Sequence, residues 1–175
     1  MNSLTKGILF VAFGASSYGM LATFVKLAYK ENYSTAEVTI SQFALGIFIV
    51  LLLNIFSKKT TAVLSKVDVK KLMLAGTTMG FTSVMYYLCV KYLNASIAVV
   101  LLMQSVWIGV VIESLQTKKI PSLLKIGAVI LVLLGTALAT NIFSSEIDFN
   151  FKGFVFGFLS AISFSLTLFS TNSVA

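Results

Sequence analysis

The chain has 175 residues, 58% of them hydrophobic and 11% charged, with a mean hydropathy of +0.97, which excludes an ordinary water-soluble domain and marks a membrane chain. Its formal charge of +7 sets thirteen lysines, with no arginine, against six acids; the lysines sit at segment ends and never interleave with aromatics on one basic face, so no nucleic-acid partner is expected. One cysteine, Cys89, and no histidine exclude an intramolecular disulfide, the usual zinc sites and Ser-His or Cys-His nucleophile pairs, and no cofactor is expected.

A hydrocarbon core about 30 Å thick takes roughly 20 apolar residues of helix, and such runs lie near 7–29, 36–57, 71–92, 95–115, 122–142 and 153–171. The first is too long for a signal-peptide core and lacks a small-x-small cleavage site, so it is predicted to remain as a span. Its midpoint, "GASSYG" from Gly14 to Gly19, gathers small and hydroxyl residues around Tyr18, suited either to close helix packing or to substrate contact. "STAE", Ser34 to Glu37, has capping-box spacing before the second run, in which Gln42 reads as a gate residue or a satisfied packing amide. The third run carries Thr78, Thr82 and Tyr86 at helical spacing and Gly76-x-x-x-Gly80. Asn94 is a predicted cap for the fourth, which holds Gln104 near its middle, Trp107 three residues on, and Glu113 near its end. Pro121 opens the fifth, where Gly127 and Gly135 share a face, and Gly153-x-x-x-Gly157 opens the sixth. These glycine spacings predict helix-packing surfaces. The predicted fold class is an all-α membrane protein, a polytopic bundle of six transmembrane helices, because lipid offers the backbone no partners and the alternating segments of a barrel are missing.

Lysine asymmetry predicts the orientation. With the N-terminus inside, the cytoplasmic side holds Lys6, Lys58, Lys59, Lys66, Lys70, Lys71, Lys118, Lys119 and Lys125, against Lys26, Lys30, Lys91 and Lys152 outside. A weak repeat aligns "GILFVAFGASSYGM" from Gly7 with "GFVFGFLSAISFSL" from Gly153. The sixth run restarts the pattern of the first after five helices, an odd number of crossings, so the second copy would be inverted across the membrane, as in secondary transporters. The expected division is 1–142 as a first five-helix repeat and 143–175 as a loop and the first helix of a second, cut short.

The polar residues inside the spans supply the candidate site. If Leu93 marks the apex of a hairpin, Gln104 lies level with Thr82 and Ser83, so the amide and the hydroxyls are expected to meet. That group either ties two helices together or lines a wet cavity at mid-membrane, where a polar group is costly unless used. Hydroxyl, amide and aromatic groups on one face suit an amphipathic organic solute, and the substrate-facing candidates are Tyr18, Ser83, Tyr86, Gln104 and Trp107. No acid falls at a span centre; Glu113 is expected at the interface beside Lys118 and Lys119, as a weak surface ion pair. Carboxylate-driven proton coupling therefore has no support, there is no phosphate-binding GxxxxGK[ST] loop, and no pair of titratable groups converges for enzymatic acid–base work.

"GILFVAFGASSYGMLATFVKLA", "KYLNASIAVVLLMQSVWIGVVIESL" and "KKIPSLLKIGAVILVLLGTAL" together resemble the EamA-like branch of the drug/metabolite transporter superfamily. Asn94 to Ser96, Ala98, and the Glu113 that precedes "KKIPS" match its Ala-Ser-x-Ala and end-of-helix glutamate positions. The resemblance implies a two-repeat, typically ten-helix transporter with a central cavity, and a topological or structural role for Glu113. Ser105 stands where the family often has proline, so a straighter helix or a serine-bonded bend is expected in place of a proline kink. The function expected is a secondary transporter or exporter of small organic metabolites, amino acids among them, in the cytoplasmic membrane. Its partners would be the metabolite, the bilayer, and a second copy or second repeat. The competing expectation is a structural or assembly subunit of a membrane complex.

Overall fold

The computed structural model of the protein describes residues 3–56, 66–139 and 150–172. Lys58, Lys59, Glu146 and Asp148, the ends of the second and fifth predicted runs, and the last three residues of the chain lie outside them. In hydrocarbon every backbone group must be satisfied within its own segment, and the described chain does this with helices: α1 (Ser3–Gly19), α2 (Leu21–Lys30), α3 (Thr35–Phe56), α4 (Lys66–Tyr92), α5 (Ala95–Met103), α6 (Ser105–Thr117), α7 (Leu123–Ala139) and α8 (Phe151–Asn172). α1 with α2, and α5 with α6, form single interrupted spans, Thr5–Lys30 and Ala95–Thr117. Thr35–Phe56, Val69–Tyr92 and Phe151–Thr171 are likewise long and apolar enough to cross a membrane, and Leu123–Leu138 is a shorter apolar helix. The chain is an all-α polytopic membrane protein whose six rods follow the six predicted runs.

Local chemistry sets the turns. α2 ends in a Schellman motif: Asn32 takes a left-handed φ of 64°, its N–H donates to the Tyr29 carbonyl, and the Tyr33 N–H donates to that of Ala28. The predicted capping box follows at once, with the Ser34 N–H and hydroxyl donating to Glu37 Oε2, both at 2.7 Å, and the Glu37 N–H donating back to Ser34 Oγ at 3.3 Å. Asn94 occupies the N-cap of α5, but its side chain makes no cap bond. Asn150, unmarked by the sequence reading, does cap α8 through Gly153 N–H at 3.3 Å. The α7 cap is Ser122, which accepts from Lys125 N–H at 3.3 Å and leaves Pro121 one place ahead.

The core gathers at the end of the bundle bearing the 31–34 and 93–94 turns, here the hairpin end. Ala22 and Val25 of α2 meet Tyr86, Tyr87 and Val90 of α4 and Ala98 and Leu102 of α5. α2 also closes the end of α4. Lys26 Nζ donates to the carbonyls of Val90 and Leu93, each at 3.0 Å, and the Tyr29 hydroxyl donates to that of Tyr87 at 2.9 Å, so a cation sits on the negative end of the helix.

α8 runs antiparallel along α4, and its two leading glycines let it in. A Cβ on Gly153 would lie 2.6 Å from Leu93 Cγ, and one on Gly157 2.6 Å from Leu101 Cδ1 and 2.9 Å from Cys89 Sγ. Farther along, Ser163 Oγ donates to the Thr78 carbonyl at 2.9 Å, and the hydroxyls of Thr167 and Thr78 pair at 2.9 Å. The threonine stripe of the third span is thus partly an interhelical seam of the kind polar groups form in membranes. The other glycine spacings are not used in this way: a Cβ on Gly76, Gly80, Gly127 or Gly135 meets nothing within 4 Å. α3 buries no whole residue; its first turns, with Thr35, Val38, Thr39 and Gln42 half-buried, lie against α2 and α4, and the rest of the helix is exposed. Glu113 pairs with Lys125 Nζ at 2.6 Å, not with Lys118 or Lys119 as expected. Lys118 ends α6 with a left-handed φ of 52°, and the turned chain brings the first turn of α7 back to the carboxylate.

Candidate functional site

The fourth span is interrupted at the glutamine. Gln104 lies between α5 and α6, its N–H donating to Leu101 O, three residues back, at 3.1 Å. Its side chain bridges the break: Nε2 donates to the Val100 carbonyl at 3.0 Å, and Oε1 accepts from Trp107 Nε1 at 2.9 Å. The expected meeting with Thr82 and Ser83 does not occur. Those hydroxyls donate within α4, to Thr78 O at 2.8 Å and Met79 O at 3.2 Å. The residue that turns inward is Ser105, which is buried and whose carbonyl accepts from Ser165 Oγ at 3.0 Å. One residue is about 100° around a helix of 3.6 residues per turn, so the depth argument had the level but not the direction. The helical bonding lapses here without proline, between the Gln104 amide on one side and the α8 serine on the other.

The first span is interrupted at Met20, immediately after "GASSYG". Within that stretch Ser16 Oγ donates back to the Ala12 carbonyl at 2.9 Å, and such back-bonding bends helices. Both interruptions share a depth: Met20 precedes Lys30, the end of α2, by ten residues, and Gln104 follows Ala95, the start of α5, by nine, about 15 Å of helix in each case. The half-helices α2 and α5 pack against each other on the hairpin side of this level.

The candidates fall into two groups. Tyr18 is half-buried, stacks on Phe164 of α8 with ring centroids 6.3 Å apart, and packs against the core that contains buried Tyr86; Ser83 lies one turn before Tyr86 on α4. Gln104 and Trp107 form the second group, bonded to each other, with Trp107 36% exposed. Among the described residues no hydrogen bond between these side chains joins the two groups.

Tyr87 OH and Gln42 Oε1 are buried with no hydrogen-bond partner among the described residues, and Tyr87 is 0% exposed. Buried polar groups in native proteins nearly always have partners, so each calls for water or a solute group. Tyr87 reads from sequence as an interfacial anchor, and nothing in its spacing separates that role from burial. Gln42 was expected as a gate residue or a satisfied amide; its oxygen is not satisfied.

Apolar spans that each lapse for one residue, at Met20 and Gln104, while keeping right-handed helical dihedrals there, with a polar pair beside one lapse and Tyr18 beside the other, define a polytopic helical membrane protein. The family model for EamA-like transporters matches residues 5–141, and the chain belongs to that family. Neither a curated protein nor a solved structure matches it.

Proposed function

We propose that the protein is a secondary transporter that carries a small organic metabolite outward across the cytoplasmic membrane by alternately exposing a mid-membrane cavity. The coarser statement, a membrane transporter of the drug/metabolite type, follows from family membership. The observation that carries the finer one is the pair of interruptions at Met20 and Gln104 at one depth. Both residues keep right-handed helical dihedrals, so each break is a local lapse in a continuous helical span, and the buried, unpartnered Tyr87 OH and Gln42 Oε1 leave hydrogen bonds for a solute to make.

In this reading Tyr18 and Tyr86 supply ring surface, and Ser83, Gln104 and Trp107 supply orienting groups. Residues 1–142 form one repeat and 143–175 begin an inverted second, with the N-terminus cytoplasmic; a second repeat or a second copy completes the cavity. The reading includes no enzymatic step. It is tested in proteoliposomes by flux of labelled amino acids and related metabolites. Gln104→Leu is expected to insert and fold while flux falls; unchanged flux with altered thermal stability alone would assign the amide to helix packing.

One observation favours a second reading, a non-transporting subunit. The open glycine faces at Gly76 and Gly80, and at Gly127 and Gly135, would accept a partner helix. Such a subunit shows no saturable flux for any solute.

A further inference from the structure

At the end opposite the hairpin end, α6 and α7 part around an open cleft of about 330 Å³ whose lining includes Glu113, Lys119, Ser122 and Lys125. The lining carries two cations against one anion. Glu113 engages Lys125 at 2.6 Å with both side chains half exposed, whereas the Lys119 ammonium has no carboxylate partner among the described residues. The flanks are apolar and bare: Ile120 is 92% exposed, and Leu123 and Leu124 are each 87% exposed. In a chain that spans a membrane, uncovered leucines beside a lysine turn lie where acyl chains meet headgroups. At about 30 Å³ per water, the cleft has room for on the order of ten waters, enough for a glycerol phosphate.

We propose that the α6–α7 cleft binds the headgroup of an anionic phospholipid. Lys119 and Lys125 meet the phosphate, the Ser122 hydroxyl donates to it, and Ile120, Leu123 and Leu124 meet the glycerol and the first acyl carbons. Basic pockets between transmembrane helices recognise anionic headgroups in this manner. The flanking apolar side chains select a lipid over a soluble phosphate ester, which has nothing to place on them. Glu113 opposes the phosphate and holds one of its two lysines, so it sets the strength of the site. The site stands apart from the transport reading, since none of its residues lies at the mid-membrane breaks.

The test is native mass spectrometry of the purified full-length protein, released from detergent containing equal mole fractions of phosphatidylglycerol and phosphatidylcholine. Wild type is expected to retain phosphatidylglycerol preferentially. Lys119→Gln should lower that retention about fivefold, the weight of one near-surface lysine, and Glu113→Gln should raise it. Lys152→Gln, at the hairpin end, should leave it unchanged. Equal retention of the two lipids overturns the proposal, as does equal loss in Lys119→Gln and Lys152→Gln or a fall in Glu113→Gln. Inorganic phosphate and glycerol 3-phosphate, added in parallel arms, should not displace the lipid; displacement by either makes the cleft a soluble-phosphate site and overturns the lipid assignment.

Discussion

Gly157→Ala adds one methyl group at the most crowded point of the α4–α8 contact. The new Cβ would lie 2.6 Å from Leu101 Cδ1 and 2.9 Å from both Leu101 Cβ and Cys89 Sγ, well inside the 3.5–4.0 Å at which carbon atoms attract. Leu101 Cδ1 can rotate away, but its Cβ is fixed to the α5 backbone and Cys89 is buried, so the helices themselves must separate. Overpacking of this kind costs about 1 to 3 kcal/mol, offset by the roughly 1 kcal/mol that alanine gains over glycine inside a helix. Gly76→Ala makes the same chemical change where nothing lies within 4 Å, so only the propensity gain remains. The two variants of the full-length protein, unfolded by heat or by titrated SDS in one detergent, should therefore be separated by about 1 to 3 kcal/mol, with Gly76→Ala the more stable. Equal shifts, or a Gly157→Ala variant more stable than wild type, would refute the close contact between α8 and the α4–α5 hairpin.

Lys26→Met keeps the aliphatic stem and removes both bonds to the carbonyls of Val90 and Leu93; stability should fall by about 2 kcal/mol in the same assay, against little change for exposed Lys30→Met. Ser34→Ala dismantles the capping box and should cost about 1 kcal/mol, with Ser34→Asp recovering most of it. Trp107 is the chain's one tryptophan and its indole N–H donates to Gln104, so Gln104→Leu should shift tryptophan emission to shorter wavelength in the folded protein; an unchanged spectrum would mean that the pair is not formed. Cys89, a free and fully buried thiol, should resist maleimide in the native protein and react promptly once SDS unfolds it, with mass spectrometry as the readout.

The six helical runs and the α2–α3 turn were legible in the residue order. Crossing a bilayer is a condition on about 20 consecutive residues, and a capping box such as Ser34 with Glu37 is complete within four. The glycines show where that legibility stops. Gly76 with Gly80 and Gly153 with Gly157 have identical spacing, yet α8 uses its pair to approach α4 while the α4 pair faces open space. Small-xxx-small spacing permits close approach without naming a partner.

Gln104 and Ser105 mark the same division within the candidate site. The sequence by itself determined that polar side chains stand midway along the fourth span, with Trp107 one turn from Gln104; only the tertiary structure decided that Ser105, and not Gln104, turns toward α8. In water, apolar periodicity reveals a helix's buried face, because only that face escapes the solvent. Lipid is as apolar as the protein interior, so the lipid-facing and protein-facing sides of a span read alike. Direction around the helix axis is then settled by packing with neighbours far away in the chain.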